Sequence, residues 1–331
     1  LTLFRVADSA RLMGGLSIGK GAYIAQGTVL RSEGTSGSIS LGNQSMVLEN
    51  SVVIGTPSYL VDIGSKTVFG HKCIVVGAQI GDLCEVGNGT IFLPGSQVGD
   101  YCIFGEGTVI APGKVVPSGS VVVGRPGRVI RKLTDEDRAM ISRMRGHDVT
   151  LSPFEPQQLH VEPKSAPGKG EDMGKLYPFG SKTPTVDETA CVYDTAEITG
   201  DVVVGAGSKI ASGVRIIGNT HGPVRIGNNV QILENTVLHL LPDNALIIED
   251  NVTIGPGCIV HGCTIGAGSV VEAGAIVCDY SVLGRNTLVK CGSLVKQRSV
   301  VEEHQIVEGF PAKVVGNSSD ALERPDWAIW D

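Results

Sequence analysis

The sequence is short of aromatic side chains and of charge. Its 331 residues include only 7 Phe, 6 Tyr and 2 Trp, and Asp, Glu, Lys and Arg together make up 18%. A core built on large rings is therefore excluded. The 27 basic residues are outnumbered by 34 acidic ones, giving a net charge of −7, which leaves no electrostatic footprint for nucleic acid. No apolar run approaches the ~18 residues that a transmembrane helix needs, so no transmembrane segment is expected. Paired CxxC motifs are missing too, which argues against a zinc ribbon or a thioredoxin-type site. What is present in excess is glycine, 45 residues, about twice the ordinary share. It lacks the strict every-third spacing of collagen. A chain rich in Gly, Val, Ile, Ser and Thr calls for a search for a β-repeat.

The repeat has a period of six. Ile80, Val86, Phe92, Val98, Phe104, Ile110, Val116 and Val122 follow one another at that spacing, as do Ile265, Val271, Val277, Leu283, Val289, Val295, Val301 and Val307. Four residues after most of them stands a small side chain, such as Cys84, Thr90, Ser96, Cys102 and Thr108, or Ser269, Ala275, Ser281, Thr287 and Ser293, with Lys114 an exception. Six is neither the helical period nor simple strand alternation. It suits a parallel β-helix in which each hexapeptide supplies one short strand and one corner, three hexapeptides closing a triangular coil. The aliphatic and the small residue then face inward, and glycine serves the tight corners. The interior is too narrow for many large rings, which accounts for their scarcity.

The two halves are copies of each other. Leu48-Glu49-Asn50 matches Leu233-Glu234-Asn235 at an offset of 185, as do Cys73 with Cys258 and Gly124-Arg125-Pro126 with Gly309-Phe310-Pro311. The expected organisation is a first β-helix over 1–133, a short helix over 134–146, a Pro-rich linker over 147–185, a second β-helix over 186–316 and a tail over 317–331. Thr134 is the expected N-cap of the helix, with acidic residues in its first turn and Met140, Ile141 and Met144 packing on the coil. Six prolines between 146 and 185 predict a semi-extended linker.

Eight cysteines fall mostly at small inward positions and read as buried, reduced thiols. Because the chain begins at Leu1 rather than Met, a preceding segment is expected. Both tryptophans, Trp327 and Trp330, lie in the tail. Two readings stand beside each other: a tail folded on its own domain, or a peptide offering aromatic anchors to a partner.

Chemistry concentrates on a few of the seven histidines. His239 and His261 are 22 residues apart, about one coil plus corner residues, so they stack on one face of the second unit. His71 in the first unit corresponds to Pro256 in the second. Together with the stretch His261-Gly262-Cys263-Thr264-Ile265-Gly266 and the two Gly-x-Pro closures, these residues carry a resemblance. Both units, from about Arg11 to Arg131 and from about Thr189 to Gly316, resemble the gamma-class carbonic anhydrase family.

That resemblance implies left-handed β-helices, trimers, and zinc at subunit interfaces held by two histidines of one subunit and a third from its neighbour. Three imidazoles with an open position lower the pKa of zinc-bound water towards neutrality. Carried onto this chain, neither copy is intact. The second unit keeps the pair His239 and His261 but has Pro256 in the cross-interface position. The first keeps His71 but has Ile54 and Val76 where the pair belongs. A composite Zn2+ site from His71, His239 and His261 is therefore the expectation. The family's Arg-Gly-Asp stretch is represented by Arg31-Ser32-Glu33, so Arg31 and Glu33 are the candidate catalytic pair; the second unit has Ile217-Gly218-Asn219 instead. The active-site Gln of the family is Leu48 in one unit and Leu233 in the other. His221 is a candidate polar substitute or a solvated loop residue.

The resemblance implies two readings. In the first, the chain is a largely structural subunit, two thirds of a heterotrimer completed by another gamma-carbonic-anhydrase-like chain. The place implied is a large membrane-associated assembly, mitochondrial respiratory complex I, on the matrix side; a cytoplasmic location is the alternative. In the second, it is an active carbonic anhydrase using the composite site. A hexapeptide acyltransferase is a weaker third reading, since the His-Gly-Cys-Thr context points to zinc.

Overall fold

The computed structural model describes residues 3–33, 38–162, the backbone of 165–167, 173–219 and 222–330. It divides into two compact units, Leu1–Pro163 and Lys164–Ile329. Each is a parallel β-helix.

In the first unit the chain visits three faces in turn. Tyr23–Ile24, Met46–Val47, Val68–Phe69, Glu85–Val86 and Ile103–Phe104 pair in parallel on the first face. Val29–Ser32, Val52–Gly55, Ile74–Val76, Ile91–Phe92 and Val109–Ile110 form the second. Ile39–Leu41, Val61–Ile63, Gln79–Ile80, Gln97–Val98 and Val115–Val116 form the third. The second unit repeats the scheme; its second face carries Arg215–Gly218, Val237–Leu238, Ile259–Val260, Ile276–Val277 and Leu294–Val295.

The register turns the six-residue period into columns. All sixteen aliphatic or Phe positions of the period are buried, Val98 and Val301 being the most accessible at 6%. Each contributes about 1.5–3 kcal/mol by leaving water. The small positions are inward as well, and several of their hydroxyls and thiols find backbone carbonyls: Thr90 Oγ1 donates to Gly87 O at 2.7 Å and Cys73 Sγ approaches Gly87 O at 3.3 Å. Lys114, which breaks the small-residue rule, is exposed. Burial pushes the thiols of Cys73 and Cys258 up to about 12, so they are protonated packing groups. The described cysteines are all free.

The corners explain part of the glycine. Gly27 (φ +67°), Asn50 (φ +59°), Lys72 (φ +56°), Gly89 (φ +64°) and Gly107 (φ +64°) occupy one corner in successive coils, all left-handed. Gly27 also tolerates no side chain, because a Cβ there would stand 2.4 Å from Asn50 Oδ1. Gly213 and Asn235 repeat this contact in the second unit. Glycine and asparagine adopt this backbone at the least cost.

Helix α1, Asp135–Met144, follows the first unit's closing strand. Thr134 and Asp137 form a capping box, and Arg131 pairs with Asp137. Ile141 is fully buried, but Met144 is 56% exposed, against the expectation that it packs inward. The last turn is fixed by polar contacts instead. Arg145 donates from Nε to Lys66 O at 2.7 Å and pairs with Glu85 at 2.5 Å.

The expected linker over 147–185 requires correction, because much of it pairs with the coils. Gln157–Val161 runs antiparallel to Arg11–Ile18 in the first unit. Ser165–Pro167 runs antiparallel to Cys191–Tyr193, while Lys175–Tyr177 and Thr185–Val186 already belong to the second unit's first coil. The end coils expose unpaired backbone edges, and an extended, proline-bearing segment satisfies them.

Phe69, Phe92 and Phe104 stack edge-to-face inside the first unit, with centroids 6.1 and 5.0 Å apart. Phe92→Ala is expected to cost about 3–5 kcal/mol, read as a lowered denaturation midpoint. For α1, Arg131 and the cap hold the Asp137 carboxyl well below the ordinary range. A depressed carboxylate stabilises above its unfolded pKa, and the contribution is lost as pH falls through the folded one. Helical protection over 135–144 should therefore decline below about pH 4, measured by amide exchange, and Asp137→Asn should abolish that pH dependence.

Candidate metal centre

The register places His239 and His261 in one column at the edge between the second and third faces of the second unit. Leu238 pairs with Val260, and His239 N–H donates to Val260 O at 3.0 Å. Their rings meet edge-to-face with centroids 5.7 Å apart. The corresponding column in the first unit is Arg31, Ile54 and Val76.

Asp279 Oδ2 lies 3.0 Å from His261 Nδ1, and the carboxylate side chain is only 8% accessible. A carboxylate is acceptor-only, so Nδ1 carries the proton and Nε2 keeps its lone pair when the ring is neutral. This carboxylate–imidazole contact is the arrangement that orients metal-ligating histidines. Asn219 Nδ2 stands 3.4 Å from His239 Nε2. Sequence reasoning singled out neither Asp279 nor this contact of Asn219. The signal for Asp279 was Pro94 at the equivalent position, lost in the same unit that lost the histidine pair.

His71 sits elsewhere, in the turn between the first and second faces of the first unit. Its N–H donates to Asn88 Oδ1 at 2.7 Å and its C=O accepts from Gly89 N–H at 2.8 Å. Glu49, one coil earlier at the same position, places Oε2 2.7 Å from His71 Nδ1. Unlike the His261–Asp279 contact, this approach lacks hydrogen-bond geometry. In the second unit Pro256 has no N–H, and Ala273 replaces the Asn88 acceptor. This backbone donor and its side-chain acceptor have gone together.

The turn that holds His71 and the edge that would hold the pair flank the same second face, roughly 15 Å apart at ~3.3 Å per residue. Pro256, the match of His71, therefore lies at the opposite edge of the pair's own face. No unit can close a three-imidazole site alone. Among the described residues no group of three or more His, Cys, Asp or Glu side chains is placed to hold a metal ion. His239 and His261 fit two positions of a zinc site. His221 lies outside the described residues.

Arg31 and Glu33 form an ion pair, with Arg31 only 2% exposed. They occupy the edge where the first unit has Ile54 and Val76, so this charge pair and the histidine pair survive in different units.

Comparison with known proteins gives these features a family. Residues 77–112 match the family model "Bacterial transferase hexapeptide (six repeats)". The chain is 41% identical over 140 residues to a carbonic anhydrase of Geobacillus kaustophilus, covering 42% of this chain and 76% of the relative. The chain belongs to the gamma-carbonic-anhydrase-like hexapeptide-repeat family. It is also 34% identical over 144 residues to the carnitine operon protein CaiE of Escherichia coli K12, covering 44% of this chain and 73% of that one. Against the mitochondrial gamma carbonic anhydrase 2 of Arabidopsis thaliana it is 33% identical over 145 residues, covering 42% of this chain and 52% of the relative.

Within the gamma-carbonic-anhydrase-like frame, the active-site Gln position is apolar in both units: Leu233 is fully buried and Leu48 half-buried. Among the described residues no helix is long and apolar enough to cross a membrane.

Breaking the Arg31–Glu33 pair takes this carboxylate away from a buried guanidinium. Glu33→Ala is expected to destabilise the first unit by roughly 3–5 kcal/mol in urea unfolding, while Arg31→Met/Glu33→Leu restores most of the loss.

Proposed function

We propose that this chain is a gamma-carbonic-anhydrase-like subunit with a largely structural role, carrying two of the three β-helices of a trimer that another chain of the same family completes. The observation that carries the reading is the division of the site: the pair His239 and His261 remains in one unit, and His71 in the other. A duplicated chain selected for turnover would keep ligands, Arg–carboxylate pair and Gln position together in at least one copy. The name of the Arabidopsis relative supports a mitochondrial place, and attachment to respiratory complex I on the matrix side belongs to the same proposal.

The chain retains the means to hold one metal ion. His239 and His261 would supply two imidazoles, and His71 is the proposed third. When bound by three histidines, zinc supplies a hydroxide from water at neutral pH. Asp279 orients the His261 imidazole through Nδ1. Leu233 and Leu48 offer no hydrogen bond to orient an oxygen nucleophile or bicarbonate, so positioning for turnover is weak. The second reading, an active carbonic anhydrase, is favoured only by the preserved geometry of His261 with Asp279.

The test is metal content and carbon dioxide hydration of the assembly purified with the full chain, for wild type, His261→Ala and His71→Ala. The expected result is bound zinc that is lost in His261→Ala, with hydration at the uncatalysed rate. Hydration that is well above background and abolished by His261→Ala overturns the structural reading. Zinc that survives His71→Ala assigns the third ligand to another chain, and an assembly without zinc removes the metal site while leaving the scaffold role.

A further inference from the structure

The coil that carries His239 to His261 is longer than the coil that follows it. Val237 and Ile259 pair at 22 residues apart, whereas Ile259 and Ile276 pair at 17. The extra residues form the loop 240–245, Leu-Leu-Pro-Asp-Asn-Ala, directly after His239. Leu240 is fully buried within it, and among the described residues the loop's side-chain hydrogen bonds to the rest of the chain run to Asp279, Gly262 and Tyr280.

Asp279 accepts on both oxygens. Oδ2 takes His261 Nδ1–H at 3.0 Å, while Oδ1 takes Leu241 N–H at 3.1 Å and Asn244 Nδ2–H at 3.3 Å. Asn244 Nδ2 also donates to Gly262 O at 2.6 Å, and its Oδ1 accepts Ala245 N–H at 2.8 Å. Gly262 is required at that point, since a Cβ there would stand 2.3 Å from Asn244 Nδ2. Tyr280 fastens the same loop from the other side, with its N–H on Gly262 O at 2.6 Å and its hydroxyl 3.4 Å from Pro242 O. One buried carboxylate therefore holds an imidazole with one oxygen and the adjoining loop with the other.

We infer that Asp279 is a positioning residue for the histidine pair: it fixes His261 as the Nδ1–H tautomer, leaves Nε2 as the electron-pair donor, and makes that state depend on the seating of loop 240–245. The ligand class is a divalent cation of the zinc type, and this part rests on the metal reading of the pair. The tautomer and the loop coupling stand without it.

The chemistry makes a sharp substitution available. Every group facing the Asp279 carboxylate in these contacts is a donor. Asp279→Asn keeps the shape but turns one acceptor into an NH2, which must face either His261 Nδ1–H or the Leu241 and Asn244 donors. The ring or the loop then loses its partner.

The test uses the full chain, metal-free, with the imidazole nitrogens labelled and the tautomer read by two-bond nitrogen–proton correlation at neutral pH. Wild type should show the Nδ1–H form at His261. Asp279→Asn should shift His261 towards Nε2–H, and Asn244→Ala should shift it in the same direction but less. Zinc titration against a competing chelator should show a loss of about 10–100-fold in affinity for Asp279→Asn. A wild-type His261 carrying its proton on Nε2 overturns the inference, even where the variant fails to fold, and so does an unchanged tautomer in a folded Asp279→Asn. A shifted tautomer in a protein that binds no zinc sustains the positioning role and sinks the metal reading.

Discussion

Everything in this molecule depends on the backbone ladder between successive coils. Each short strand pairs only with the strand above and the strand below on its own face, so a residue's neighbours are set one coil away rather than next to it in sequence. The inward aliphatic column works because the ladder holds the register. The same constraint makes a functional group a property of a column: His239 meets His261 because Leu238 pairs with Val260. A one-residue slip between those coils would separate the imidazoles and turn the inward column outward.

Much of the architecture was legible because the six-residue period and the coil are one object. Ile80 to Val122 and Ile265 to Val307 announced the buried columns, and the shared offset announced the duplication. Thr134 and Asp137 announced the helix start through a local capping rule. Where sequence fell short, the missing information was non-local. The segment from 147 to 185 has no period, since its strands are defined by the coil edges they cover, so Gln157–Val161 looked like linker. Met144 fitted an apolar stripe but gave way to the Arg145–Glu85 contact, which depends on a residue far away in the chain. At the site, the pairing of His239 with His261 followed from spacing. Asp279 did not, because its role depends on a loop whose path no periodicity describes.

The two units differ at the columns of the proposed site while keeping the same scaffold. Ile54 and Val76 are aliphatic replacements in a column that accepts them, and Ile54 is fully buried. Pro256 removed a donor at a turn where Ala273 had removed the acceptor. Pro94 stands where Asp279 stands in the other copy, so the carboxylate that would have needed a histidine went with it. The Asp279 and Asn88 positions lose a polar group together with its partner, the kind of exchange that costs a fold least, while Glu234, the match of Glu49, stays buried in the second unit.

The return strands at the ends of the units carry a consequence of their own. Ser120–Val123 turns back into Arg128–Lys132, and Gln305–Gly309 turns back into Ala312–Asn317, each antiparallel. At the other ends, Gln157–Val161 and Ser165–Pro167 run antiparallel along first-coil strands. A hexapeptide coil is in itself a template with no natural length, able to add turns or to recruit strands from a stranger. Antiparallel strands break the parallel template on one face at each end, so on those faces the ladder offers no parallel edge for a further coil.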